Sequence, residues 1–391
     1  MKATKLESIM VEPHYRNVWV NEKGGLAASC HKRKMLTVSD QCGMTLIEIM
    51  LALLLGLFLI GGAIQIFLSA KNSYRIQENL SRIQENGRFA LELLSHDIRL
   101  AGYFGCSGVS ATNPIVIANH PLVAPHAHGG NANVVAGSIV TGGDNNTTGS
   151  FTTTPALASN PLTPVVQNTD AITVQFGESC GGYTTVALST VDPTIAAIPS
   201  NNTCGTITNG TATTPGTPLV ISSCDSTHIF RASAGTTQNK DGTGTATQSL
   251  GKTYAAGSEI MLFRSYTYFI RLGASGLPSL YRLDNNMATG GSTNPVELIE
   301  GVENMQIVYG VDTDADGVAN NYIAGTSANI PAADWDKVVS LRIFLLLQSI
   351  DDNVTDKPAP YYYMSGTATA ATDRRLRKAY TLTVALRNKL G

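Results

Sequence analysis

Between Met44 and Ala70 the chain is apolar at most positions, and Glu48 is the single charge. An apolar run of about 20 residues fits a membrane-spanning helix. From Lys71 to Leu100 the apolar positions become periodic. Ile76, Leu80, Ile83, Ala90, Leu94 and Ile98 recur at spacings of three, four and seven, as expected of a helix with one buried stripe. "RIQEN" occurs at 75–79 and again at 82–86, and Glu78–Arg82 and Arg88–Glu92 are i,i+4 pairs on the polar side. No proline interrupts Met44–Leu100. The pattern predicts one continuous helix, about 85 Å long at 1.5 Å per residue. Gly56, Gly61 and Gly62 weaken it locally and permit melting or close helix packing.

Further on, the period shortens to two. Strand signals cover 170–176, 217–222, 228–233, 259–272, 277–284, 303–311, 337–348 and 379–387. Residues 107–168 and 190–250 are rich in Gly, Asn, Thr and Pro and read as loops. The expected fold class is α+β, with an antiparallel sheet packed on the C-terminal half of the long helix. The chain divides into residues 1–43 ahead of the apolar run, a spanning segment 44–70, an amphipathic half 71–103 and a β-rich globular domain 104–391.

Composition adds a compartment. Hydrophobic residues make up 43% and charged residues only 14%, so the polar surface comes from Ser, Thr, Asn and Gly, as suits a secreted or envelope protein. The net charge of −2 gives no footing for nucleic acid. Residues 1–43 hold seven Lys/Arg against four Asp/Glu, with "HKRK" at His31–Lys34 just before the apolar run. The positive-inside rule then places the N-terminus in the cytoplasm and the C-terminal bulk across the membrane. The apolar core from Ile49 to Ile64 is longer than a secretory h-region, and no A-x-A-like site follows it. Cys30 follows "LAAS", but no h-region precedes it, so a lipoprotein anchor is rejected. A plain anchor leaves Glu48 unexplained, because a carboxylate in lipid is costly and functional by default.

"G-M-T-L-I-E" followed by an apolar run resembles the type III signal of type IV pilins. The resemblance implies cleavage by a prepilin peptidase between Gly43 and Met44 and N-methylation of Met44. Glu48 becomes the fifth mature residue, where it faces the ammonium of a neighbouring subunit in a filament; the macrodipole at a helix N-terminus is the alternative partner. Phe is commoner in the family at the place of Met44. Ser73–Cys106, "DWDKVVSLRIFLLLQS" and "DRRLRKAYTLTVALRNKL" resemble the PilW-like minor pilins, strongly over residues 43–106 and about 302–391 and weakly between. The leader before Gly43 is long for the family; a start at Met35 shortens it but loses "HKRK". Cys30 and Cys42 are read as removed or untranslated.

The family implies a minor pilin of the inner membrane, its domain periplasmic, that primes pilus assembly near the filament tip. It also implies partners: other minor pilins, the major pilin, the prepilin peptidase and a tip adhesin. Two alternatives remain: a minor pseudopilin of a type II secretion system, and a membrane-anchored periplasmic binding module.

Cys106, Cys180, Cys204 and Cys224 lie beyond the spanning segment, and on an oxidising side they read as two disulfides with three connectivities. Spacing favours Cys180–Cys204, leaving Cys106–Cys224. The sequence contains no H-E-x-x-H, P-loop or strand-following G-x-G-x-x-G, and no enzyme is expected. His126 and His128 in "PHAHGG" have no further ligand spacing. "VDTDADGVANNY", 311–322, carries the first half of an EF-hand-type loop. Asp312, Asp314 and Asp316 can converge on Ca2+, with the Val318 carbonyl and Asn320 as further ligands. Ile323 stands where the bidentate Glu belongs, so the expected affinity is weak, about 10⁻⁴–10⁻³ M.

Overall fold

A computed structural model describes residues 43–106, 116–117, 139–144, 165–184, 207, 217–224, 226–231, 253–286, 295–326, 329–364 and 366–389. Helix α1 runs Leu46–Leu100. The strands are β1 (Val116–Ile117), β2 (Val140–Gly143), β3 (Ala171–Tyr183), β4 (Pro218–Ser223), β5 (Ser226–Arg231), β6 (Glu259–Leu272), β7 (Pro278–Asp284), β8 (Val296–Glu300), β9 (Val302–Val311), β10 (Asn321–Ala324), β11 (Val338–Gln348), β12 (Tyr361–Tyr362), β13 (Ala368–Thr369) and β14 (Arg377–Ala385). One long apolar helix with antiparallel sheets makes the class α+β. The single expected sheet is two sheets and a small ribbon. The eight-stranded sheet is organised around β6, which pairs β3 on one side and β4, then β7, on the other. The second sheet has the order β10-β9-β11-β14, and β12 pairs β13. β1 and β2 fall inside the expected 107–168 loop; runs of two and four residues are too short for a period to show.

The two compact units are residues 1–64 and 65–391. In the first, the helix from Leu46 presents its large apolar side chains outward, from Leu46 (77% exposed) to Ile64 (54%). In the second, the amphipathic half of α1 buries Asn79, Ile83, Gly87, Ala90, Leu94, Asp97 and Ile98. The stripe therefore differs from the expected one. Leu80 is 38% exposed, and the polar Asn79 and Asp97 are inside. The Glu78–Arg82 pair forms at 2.7 Å; among the described residues no ion pair joins Arg88 to Glu92.

Alternate residues of both sheets meet α1 in one core. Ile172, Val174, Phe263 and Ile270 come from the larger sheet, and Met305, Ile307, Leu341, Ile343 and Leu345 from the smaller. Leu94 and Ile98 are fully buried there, a burial that stabilises by about 1.5–3 kcal/mol per side chain. Gly87 brings the helix against the Tyr380 ring on β14: a Cβ there would lie 2.6 Å from ring carbons. α1 stops at Leu100 because Gly102 takes φ +77°, a left-handed turn that favours glycine. The Asn388 amide then donates to the carbonyls of Arg99, Leu100 and Ala101, capping the last turn.

Candidate functional sites

Gly43 is exposed, with open space around its Cα, and Met44 beside it is 67% exposed. Two residues on, Thr45 stands just before the first helical residue, Leu46. The Thr45 backbone N–H donates to Glu48 Oε2 at 3.0 Å, and its hydroxyl donates to the same oxygen at 2.9 Å. In return the Glu48 N–H donates to the Thr45 hydroxyl oxygen at 3.4 Å. This is a reciprocal capping box, which satisfies helix-terminal donors that would otherwise be orphaned. Its T-x-x-E spacing stands in the sequence, yet reading Glu48 only against an ammonium or the macrodipole missed it. Both bonds fall on Oε2, which leaves Oε1 without a partner among the described residues.

The acidic residues Asp312, Asp314 and Asp316 lie in the connection between β9 and β10, which pair Val311 with Asn321. One carboxylate oxygen from each lies within 4.8 Å of the others. Backbone N–H groups already use several of them. Asp312 accepts from Asp314, Ala315 and Gly317, and Asp316 accepts from Val318 at 2.8 Å. Asn320 Oδ1 accepts both the N–H and the hydroxyl of Thr313, and the Val318 side chain is 63% exposed. Burial by itself would raise the Asp312 pKa. The N–H groups of Gly317 and Ala315, helped by Asp314, outweigh it and hold the carboxyl below its usual value. The loop is thus a hydrogen-bonded turn in its own right.

The cysteines form a link the chain needs at the end of α1. Cys106 is bonded to Cys224 across 118 residues, which ties the segment after α1 to the end of β4. Cys180, buried on β3, is also in a disulfide. Cys204 lies outside the described residues, as do His126, His128, Cys30, Cys42, Met35 and the "HKRK" segment.

Two polar arrangements on α1 escape the sequence. The Asp97 carboxylate, buried in the helix stripe, accepts from the Tyr268 hydroxyl on β6 and lies 2.9 Å from His96 Nδ1. Arg282 on β7 lies beside the same hydroxyl, its guanidinium 4.5 Å above the Tyr266 ring. Burial first, then the Asp97 charge, pushes the Tyr268 hydroxyl far above its ordinary pKa, so it remains a donor. Next to this cluster is an open groove of about 530 Å³ with Phe89, Leu93, Phe176 and Tyr266 in its walls. Nearer the start of the second unit, a loop at 351–356 clasps α1. Asn72 donates to Asp356 Oδ1 at 3.3 Å, Arg75 to the Asp352 carbonyl at 3.2 Å and Asn79 to Asp351 Oδ2 at 3.1 Å. The partners are more than 270 residues apart in sequence, and no local pattern announces them.

The family model for Type IV Pilus-assembly protein W matches residues 267–388, less than half of the chain. No curated protein and no solved structure matches it. The matched stretch points to type IV pilus assembly, and α1 is long and apolar enough to cross a membrane.

Proposed function

We propose that the protein is a minor pilin of a type IV pilus that primes assembly with other minor pilins and ends near the filament tip. Before assembly it sits in the inner membrane, its span inserted from Met44 onward and its β-rich domain in the periplasm. One observation carries this reading: a helix whose apolar stretch, to Ala70, has a single charge, Glu48, set into a capping box directly after a Gly43–Met44 junction. The match at 267–388 supports it independently. Prepilin peptidase would cut that junction and leave an ammonium on Met44, ready for methylation. The Thr45 N–H belongs to the Met44–Thr45 peptide, so the capping box survives the cut. Oε2 then keeps the cap, and Oε1 is available to the Met44 ammonium of a neighbouring subunit. Such a pair offsets two charges that a filament interior would otherwise penalise, and it fixes the register between subunits.

Partners in this reading are other minor pilins, the major pilin, the peptidase and a tip adhesin. The groups that hold α1 are structural, and none has the arrangement of a nucleophile with its base, so no enzymatic role is proposed. We keep calcium in the proposal only as a ligand of the Asp312–Asn320 turn at about 10⁻³ M, because the turn's own N–H groups compete for the same oxygens.

The test is direct. Mass spectrometry of the mature protein should give Met44 as the N-terminus, and Gly43→Ala should leave the precursor uncut and piliation impaired. Glu48→Val should keep insertion and cleavage but lose co-purification with partner pilins. A mature N-terminus elsewhere overturns the reading. Intact pili with a secretion defect in a deletion strain would instead assign the protein to a type II secretion system.

A further inference from the structure

We infer that the outer edge of β14 takes up one further strand, an extended segment of a partner protein with carboxylates at its ends and uncharged residues between. The inference lies wholly within the globular unit and goes beyond the pilin reading: it holds whether or not the chain enters a filament. β14 is the last strand of the smaller sheet and pairs only β11 among the described residues. The pairing runs unbroken from Arg377 opposite Gln348 to Ala385 opposite Ser340. Just beyond its two ends, the Ser349 N–H donates to the Leu376 carbonyl and the Leu386 N–H to the Val339 carbonyl. In an antiparallel ladder, alternate residues bond the same neighbour. The even-numbered residues of β14 therefore face β11, and the N–H and C=O groups of Ala379, Thr381, Thr383 and Ala385 point the other way. All four residues are exposed, and no backbone partner meets them among the described residues.

Such an edge is an open template for pairing, and proteins ordinarily blunt it with brevity, charge, proline or a bulge. The other sheet-ending strands conform. β1, β2 and β10 have two, four and four residues, and β8 carries Glu297 and Glu300 with a register shift in its pairing to β7. β14 has nine residues, an unbroken register, no proline, and only Ala and Thr on its exposed side. These side chains are short, so a strand can approach to the roughly 4.8 Å that a ladder needs. Charge selects the occupant. Residues 374–391 hold six Lys/Arg and no Asp/Glu. Arg377 is already paired with Asp373 and Glu303, and Lys378 Nζ lies 5.4 Å over the Tyr380 ring. Arg387, exposed just past the strand, forms no ion pair among the described residues. A second copy laid antiparallel on this edge would set Lys378 of one chain near Arg387 of the other at both ends, and like charges so placed repel. A strand that ends in Asp or Glu meets the same two cations favourably. Strand addition of this kind draws affinity from main-chain bonds and specificity from the side chains beside them.

Three capped heptapeptides and the full chain in detergent test this. The probes are Glu-Val-Thr-Val-Thr-Val-Glu, the same peptide with Lys at both ends, and an N-methylated form of the first that cannot donate main-chain bonds. Binding is read by fluorescence anisotropy and by amide hydrogen exchange resolved to single residues. At nine-tenths occupancy the Glu-ended peptide should slow exchange about tenfold at Ala379, Thr381, Thr383 and Ala385, since only the unoccupied fraction exchanges freely. Tyr380 and Leu382, whose N–H groups face β11, should change little. The N-methylated peptide should not bind, a control that leaves the protein untouched. Lysine ends, or Arg387→Glu in the protein, should weaken binding about threefold to fivefold. Thr381→Pro deletes an outward N–H and keeps the ladder to β11, as proline on an edge can, and should abolish binding. No slowing at those four residues with millimolar Glu-ended peptide, or equal binding by the N-methylated one, overturns the inference. A dimer in sedimentation that Thr381→Pro dissolves would give the edge to a second copy and overturn the acidic partner. A mature N-terminus other than Met44 overturns the pilin reading and leaves this inference standing.

Discussion

Tyr268→Phe isolates one hydroxyl at the point where α1 meets the larger sheet. The ring is fully buried and phenylalanine fills the same space, so no cavity term enters. What disappears is the donor to Asp97 Oδ2, together with the hydroxyl's smaller interaction with Arg282. The carboxylate is only 10% exposed in its side chain, and what remains near it is His96 Nδ1 at 2.9 Å, on a ring that is 71% exposed, and the charge of Arg282. A hydrogen bond to a charged group contributes about 1.5–3 kcal/mol, and a buried acceptor left without its donor loses that amount. The expected destabilisation is therefore about 2 kcal/mol, read as a fall in melting temperature of about 3–5 °C for a domain of this size. Circular dichroism melts of the full chain in detergent give the shift. A double-mutant cycle with Asp97→Leu supplies the stricter check: with the carboxylate gone, Tyr268→Phe should cost little, a coupling of about 1–2 kcal/mol. A Tyr268→Phe shift below about 0.5 kcal/mol, or one equally large in the Asp97→Leu background, would refute the assignment of that hydroxyl to the buried charge.

Gly87→Ala should destabilise by about 1 kcal/mol, since its Cβ would meet the Tyr380 ring at 2.6 Å and overpacking outweighs the gain in helix propensity. In a Tyr380→Leu background the sign should reverse, which thermal melts will register. Cys106→Ser with Cys224→Ser opens a link across 118 residues and should cost about 4–5 kcal/mol by the chain-entropy relation, seen as a lower midpoint in urea. Asp312→Ala removes the acceptor of three backbone N–H groups and should lower the melting temperature as much in chelator as in micromolar calcium; titration calorimetry should show calcium heat only at about millimolar ion. Because the folded Asp312 pKa lies below its ordinary value, its contribution is present above the ordinary carboxylate pKa and disappears as pH falls through the folded one. A melting temperature that falls in calcium alone would show that the ion, and not the turn, uses this carboxylate.

Local pattern made much of the fold legible. The strand signals at 259–272 and 277–284 correspond closely to β6 and β7, because apolar, aromatic and β-branched residues bounded by turn residues mark a strand even where both faces are buried. Period two says nothing about which strand pairs with which, so one sheet was expected where there are two. The helix stripe was legible where it is apolar, at Ile83, Ala90, Leu94 and Ile98. It was not legible at Asn79 and Asp97, because a polar side chain can be buried only when a partner is supplied. Those partners, Asp351 and Tyr268, are 272 and 171 residues away. The Thr45–Glu48 capping box is the opposite case: it is wholly local and written in four letters, and an ionic explanation for Glu48 hid it.

The groups that complete α1 share one origin. Tyr268 meets Asp97, the Glu300 carbonyl meets Asn86, the loop at 351–356 meets Asn72, Arg75 and Asn79, Tyr380 meets Gly87, and Asn388 caps the last turn. Every one of these partners lies within residues 267–388, the stretch that matches the pilus-assembly family model. β3, β4 and β5 lie before that stretch. The stretch that matches the family model therefore supplies these partners of the helix, while part of the apolar core it packs on, Ile172, Val174 and Phe263, lies before it. The polar contacts specify the seating of the second half of α1 on the domain more narrowly than apolar packing can. An apolar stripe tolerates a helix that slides or rolls, whereas Asn72, Asn79 and Asp97 each lose a partner when it does.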